Sequence, residues 1–208
     1  MKRTIICSLL FALFCGCNNQ PEKKEEKVVV AKATTPTAKG LTQQDSIKAI
    51  GRQVLSLLKS HNYKELTTFF SADGVLFSPY AFIDTAQSKR LTPEDFLQAI
   101  DKNWTLTWGH FDGTGEPIKL SVKAYLKKFV WNADYLNAEA VGFDQVIKQG
   151  NSPNNLNTIY PNHHFIDYHF SGFDQKYNGM DWSSLRLVFE NDNGEYFLVA
   201  IIHDQWTV

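Results

Sequence analysis

The run Ser183-Ser184-Leu185-Arg186-Leu187-Val188-Phe189-Glu190, the segment Asn191-Asp192-Asn193-Gly194 and the run Glu195-Tyr196-Phe197-Leu198-Val199-Ala200-Ile201-Ile202-His203 decide how this chain folds. Both runs are strand-like. The Asn/Asp/Gly segment between them reads as a four-residue turn, so the pair is predicted to form a β-hairpin. The second run continues into Asp204-Gln205-Trp206. A strand that closes on an imidazole, a carboxylate, an amide and an indole is a natural place to look for a site.

Working outward from the hairpin, Phe165 to Phe170, Val141 to Ile147 and Thr105 to Phe111 are further strand candidates, and Gly150 to Asn162 is an Asn/Pro-rich loop. Val75 to Tyr80 reads as a strand bent at Pro79, with Ser88 to Arg90 as its returning partner; a proline confines such a strand to an edge or a bulge. Helices gather earlier. Thr42-Gln43-Gln44-Asp45 has the form of a capping box, and Ile47, Ile50, Val54, Leu57 and Leu58 recur at helical spacing, predicting a helix over about 45–60. Asn62 caps a second short helix, and Thr92-Pro93 opens a third. Val122, Tyr125, Leu126, Phe129 and Val130 make the buried stripe of another, with Lys123, Lys127 and Lys128 outside it. Helices first and long strands last predict an α+β fold, N-terminal helices packed on a curved, mainly antiparallel sheet. This order and length is similar to the cone of the nuclear-transport-factor-2-like (NTF2-like) superfamily, which implies a cavity between helices and sheet and no particular function.

The N-terminus carries a different message. Met1-Lys2-Arg3 is basic, Ile5 to Phe14 is an apolar run, and Gly16-Cys17 follows. The run is about half of what a bilayer span needs, so residues 1–16 read as a secretory signal. Gly16-Cys17 resembles the bacterial lipobox, with Phe14 where a small aliphatic residue is usual, and implies acylation of Cys17. Residues 17–40, Pro21-Glu22-Lys23-Lys24-Glu25-Glu26-Lys27 and a Val/Ala/Thr/Pro/Lys stretch, read as a flexible tether. Residues 41–208 then form one domain, large enough to bury roughly 70% of its unfolded surface. The expected location is the bacterial cell envelope, periplasmic face or cell surface, with the membrane as partner through the Cys17 lipid.

All three cysteines lie at positions 7, 15 and 17, so the domain has no disulfide, thiolate nucleophile or cysteine metal site. With the five lysines and three glutamates of the tether set aside, the domain holds 14 basic and 19 acidic residues, a net charge near −5. That balance argues against a nucleic-acid partner. Gly113 and Gly115 do not form a phosphate loop, because no Gly-Lys follows and Pro117 removes a backbone N–H. No cofactor is indicated.

Four segments, Phe77-Ser78-Pro79-Tyr80, Trp108-Gly109 with Asp112-Gly113-Thr114-Gly115-Glu116-Pro117-Ile118, Gly179-Met180-Asp181-Trp182 with Leu185 to Glu190, and Ile201 to Thr207, resemble a family of uncharacterised bacterial lipoproteins. The resemblance runs from about residue 50 to the end. It implies an exported, anchored domain and carries over no reaction, ligand or catalytic residue.

Strand alternation sorts the polar residues. In either simple hairpin register, Ser184, Arg186, Val188 and Glu190 share a face with Phe197, Val199, Ile201 and His203, which leaves Asp204 and Trp206 opposite. Asp167 and His169 also share one face of their strand. If the strands are neighbours, Asp167, His169, Arg186 and His203 converge. Four readings follow. The group is a satisfied polar network fixing the register. Or it binds a small polar or anionic ligand, with Arg186 as cation, Glu190 beside it, and Trp108, Tyr168 or Trp206 as stacking walls. Or His203 or His169 with Asp167 performs acid/base catalysis, as in a hydrolase or isomerase. Or His169, His203 and Asp167 hold a metal, although their spacing matches no known ligand signature. A triad of Ser184, His203 and Asp167 is set aside, since Ser184 lies mid-strand without an oxyanion hole. Function is expected to be that of a lipid-anchored envelope protein binding a small polar ligand or partner segment, with a hydrolase or isomerase and a non-catalytic assembly protein as alternatives.

Overall fold

A computed structural model describes residues 42–207; the expected signal peptide, Cys17 and the expected tether lie outside the described residues. Helix α1, Gln43–Ser60, begins as its sequence requires: Thr42 accepts from the Asp45 N–H while the Asp45 carboxylate accepts from Thr42, and Ile47, Val54, Leu55 and Leu58 are buried. It stops at His61 in left-handed backbone. Asn62 then caps α2, Tyr63–Leu66, which runs into a 3-10 turn. Strands β1 (Val75–Ser78) and β2 (Lys89–Leu91) precede α3 (Pro93–Asp101), which is capped by Thr92 with Pro93 in its first turn. β3 (Thr105–His110) and β4 (Pro117–Ser121) form a separate ribbon. The predicted 121–130 helix is α-helical only as α4, Val122–Tyr125; Leu126–Val130 is a π turn in which Trp131 N–H donates to Leu126 O at 2.7 Å. β5 (Ala140–Phe143), α5 (Leu156–Ile159), β6 (His164–Phe170), β7 (Ser183–Asp192) and β8 (Glu195–Gln205) complete the chain.

The six-stranded sheet has the order β2-β1-β8-β7-β6-β5, with β1 parallel to β8 and every other pair antiparallel. The fold is α+β, with the early helices packed on this sheet. Phe77, Ile166, Tyr168, Leu185, Leu187, Phe189, Leu198 and Ile201 face the helices in the larger core. Leu76, Phe165, Val188, Val199, Ala200 and Ile202 face the other way and are covered by Ile83, Leu156 and Tyr160. Both faces are therefore buried, which alternation alone did not indicate. β1 is an interior strand between β2 and β8, contrary to the edge expected from Pro79. The proline lies one residue past its end, where no ladder hydrogen bond is lost.

The hairpin differs in two details. Its turn is two residues, Asn193-Gly194, both at positive φ, between the pair Asp192 and Glu195. More consequential is a β-bulge. Phe189 opposes Leu198, but Val188 opposes Ala200, so Val199 is one extra residue in β8. Beyond it the phase changes: Leu185 opposes His203, Arg186 opposes Ile202, and Ser184 opposes Asp204. A shift of one residue exchanges the faces of everything that follows.

Candidate functional site

Because of the bulge, the polar side chains expected in one cluster occupy two. On the loop-covered face, Asp167 and Arg186 are paired across β6 and β7, and Asp204 joins them from β8. Arg186 Nε donates to Asp167 Oδ2 at 3.2 Å, and Nη2 donates to Asp204 Oδ2 at 2.8 Å and to the carbonyl of Lys148 at 3.3 Å. Ile147 N–H donates to the same Asp167 oxygen. All three side chains are sealed, at 0%, 0% and 1% exposure for Arg186, Asp167 and Asp204. Burial raises the Asp204 pKa, outweighing the opposing pull of the guanidinium, and the Asp167 charge adds to the rise. His169, beside Trp182, bonds Ser184 Oγ through Nδ1 at 2.8 Å, and burial lowers its pKa. The geometry is that of a buried ion cluster locking three strands and the 147–148 loop together.

His203 lies on the opposite, helix-covered face. This corrects the expectation that it joins Arg186, Asp167 and His169. Its Nδ1 is 3.0 Å from the Pro79 carbonyl, which can only accept, so Nδ1 carries the proton and Nε2 holds the lone pair. Nε2 is 3.2 Å from Ser183 Oγ and 3.3 Å from Asn132 Nδ2. Tyr135 Oη closes the group, at 2.7 Å from both Asn132 Oδ1 and Ser183 Oγ. Phe129, carried by the π turn, packs against the imidazole at 5.7 Å. Burial drives the His203 pKa down to about 4 and raises that of Tyr135, so both stay neutral at pH 7.

The other predicted residues also separate. Tyr168 packs beneath α1, where a Cβ on Gly51 would meet its hydroxyl, so it is core and not a stacking wall. Glu190 sits toward the turn end of β7 opposite Phe197, away from Arg186. Trp206 is 44% exposed beyond the end of β8. Asp204, which alternation placed on the face opposite Arg186, is instead its partner. With His169 and His203 on opposite faces, the set of His169, His203 and Asp167 cannot hold one metal; among the described residues His203 has no carboxylate partner, while His169 shares its face with Asp167 but hydrogen-bonds Ser184.

Trp108 is the candidate that lies beside a groove, although its side chain is fully buried. An opening of about 490 Å³ is lined by Tyr80, Phe82, Trp108 and Phe111, with Asp84, Gln87, Ser88, His110 and Asp112 among its polar lining. Trp108 is fixed from behind: its ring stacks on Tyr125 at 4.0 Å and its Nε1–H donates to Leu120 O. Tyr80 Oη accepts from the Asp112 N–H at 3.3 Å, joining the two loops that form the groove. Among the described residues no lysine or arginine lines it, although Lys128 stands over Phe111 at 5.6 Å. Pro79, whose carbonyl holds His203, is also part of the lining. Sequence reasoning missed Ser183, Asn132 and Tyr135 as partners of His203. The available signal was the pairing of a strand-initial serine with a strand-final histidine, which the bulge concealed.

No family model and no curated protein matches the chain. Among solved structures, a protein from Xanthomonas campestris described as a calcium/calmodulin dependent protein kinase II association domain aligns over 77% of this chain and 86% of its own, with TM-score 0.34 and 8% identity. An NTF2-like design aligns over 76% of this chain and 96% of its own, with TM-score 0.30 and 12% identity. At these scores neither neighbour's ligand or assembly bears on this chain.

Proposed function

We propose that the chain is an exported, lipid-anchored envelope protein of the lipoprotein family it resembles, and that its NTF2-like domain binds a small uncharged or cationic molecule in the Tyr80/Phe82/Trp108/Phe111 groove. The observation that carries this reading is the chemistry of the groove: three accessible aromatic side chains, Tyr80, Phe82 and Phe111, backed by the buried Trp108, with two carboxylates and, among the described residues, no lysine or arginine in the lining. Two of the segments that carry the family resemblance, Phe77 to Tyr80 and Trp108 to Asp112, line it, and a third supports it through His203. The anionic ligand expected from Arg186 has no support, since that guanidinium is sealed between two carboxylates. The hydrolase reading is weakened in the same way. His203, His169 and Asp167 are 1%, 5% and 0% exposed, which leaves a substrate little access to either histidine.

Two measurements test this. Cys17→Ala should release the protein from membranes; retention in the detergent fraction would remove the anchor. Titration with benzyltrimethylammonium, followed by amide shifts, should perturb residues 80–84 and 108–112. Phe82→Ala or Asp112→Asn should weaken binding by roughly two- to fivefold, the scale of an exposed cation–π contact. Shifts that map elsewhere, or an affinity unchanged in both variants, would overturn the groove assignment.

A further inference from the structure

A second opening, of about 820 Å³, lies among the helices and is separate from the groove just described. Its lining is Leu58 and His61 from the end of α1, Tyr63 from α2, Ile100 from α3, Lys123 from α4, and Leu126, Lys127 and Trp131 from the π turn and its end. Three aliphatic side chains and two aromatic rings make it mainly apolar, and no carboxylate is among its lining residues. Its charge comes from Lys123 and Lys127, four positions apart. Both are exposed, and among the described residues neither makes an ion pair. The local structure is also specific: the five-residue Trp131 to Leu126 hydrogen bond adds one residue to the turn between the second lysine and the indole. Such π turns recur at functional sites.

We infer that this opening binds a single-chain anionic amphiphile, an acyl chain ending in a carboxylate or phosphate, with the chain against Tyr63, Ile100 and Trp131 over a floor of the buried Leu58 and Leu126, and the anion held by Lys123 and Lys127. The volume lies within the range of small-molecule sites, and an apolar body with one pole of negative charge matches a lining that has apolar walls and one pole of positive charge. An inorganic anion would leave the apolar wall uncovered. A cationic amphiphile would meet two lysines with no counter-charge. The inference does not rest on the aromatic groove, whose lining shares no residue with this one.

The test is a titration of the full chain with dodecanoate below its micellar concentration, alongside dodecanol and dodecyltrimethylammonium, read by amide shifts and tryptophan fluorescence. Dodecanoate should perturb residues 58–63, 100 and 123–131 and bind more tightly than either comparison compound. The double variant K123E/K127E, which alters only exposed side chains, should lose at least about tenfold in affinity while keeping its melting temperature, since charge-assisted contacts dominate the discrimination. Trp131→Ala should weaken dodecanoate and dodecanol together. Equal binding of the three amphiphiles, shifts mapping to another surface, or an unchanged affinity in K123E/K127E would overturn the inference. So would binding to anionic phospholipid vesicles without binding to monomeric dodecanoate, which would indicate a lipid surface as the ligand.

Discussion

Arg186 and His203 occupy opposite faces of the β7–β8 ladder, the guanidinium beneath the 147–148 loop and the imidazole beneath the helices. One residue, Val199, is responsible. The domain consequently holds two separate buried polar groups, each with its own signature.

Removing Arg186 leaves Asp167 and Asp204 buried without a cation. Arg186→Ala should lower the free energy of unfolding by roughly 3–5 kcal/mol. Replacing all three members, with R186M, D167L and D204L together, should recover part of that loss, because no buried charge is left uncompensated. Urea unfolding measures both. A change below about 1 kcal/mol in the single variant would mean that the cluster is hydrated and not sealed.

His203 should report on pH. Its folded pKa of about 4 lies below the ordinary histidine value of 6.5, so in that interval the unfolded chain binds a proton that the folded chain refuses. The contribution is therefore fully present above pH 6.5 and is lost as pH falls toward 4, by about 3 kcal/mol in total. His163 and His169 shift in the same direction, so the difference between wild type and His203→Gln isolates the effect. Unfolding free energies at pH 7.5 and 4.5 should differ less in the variant.

Gly51 lets α1 approach the sheet. A Cβ there would lie 2.5 Å from Tyr168 Oη and 2.6 Å from Ile166 Cδ1. Gly51→Ala should cost about 1–3 kcal/mol despite its better helix propensity. Adding Tyr168→Phe removes one of the two clashes and should restore part of the stability in a double-mutant cycle.

At Gly194 the strain is in the backbone alone, since φ is +92° and a Cβ added there would meet nothing within 4 Å. Gly194→Ala should therefore cost only about 1–2 kcal/mol, with the hairpin retained. Thermal unfolding with the circular-dichroism spectrum measures both.

Local chemistry was well recorded in the sequence. The Thr42/Asp45 capping box, the Asn62 cap and the Thr92-Pro93 start appear where their residue types placed them, because each depends on neighbours within four positions. The α+β class followed from the order of periodicities. The side-chain clusters were less accessible, because they depend on strand phase. Neither Val188-Phe189 nor Leu198-Val199-Ala200 carries a glycine or other mark of a bulge. The pairing of Asp167 with Arg186 survived, since β6 and β7 meet in unbroken register, whereas every inference crossing Val199 changed sides. The π turn was equally silent: the Val122 to Val130 stripe fits an ordinary helix, and only the 2.7 Å bond from Trp131 to Leu126 reveals the extra residue.

The bulge makes one residue of this hairpin dispensable to its register. Anyone transplanting β7 and β8 into another scaffold must keep the pairing of Val188 with Ala200, which sets the faces of everything from Ala200 to Gln205. Excising Val199 would remove the extra residue and leave Phe189–Leu198 and Val188–Ala200 as consecutive pairs of a regular ladder. The imidazole would stay beneath the helices, and the Asp204 carboxylate beside Arg186. A deletion scan along β8 should then find position 199 among the most tolerant, at the cost of a valine's contacts in the smaller apolar cluster.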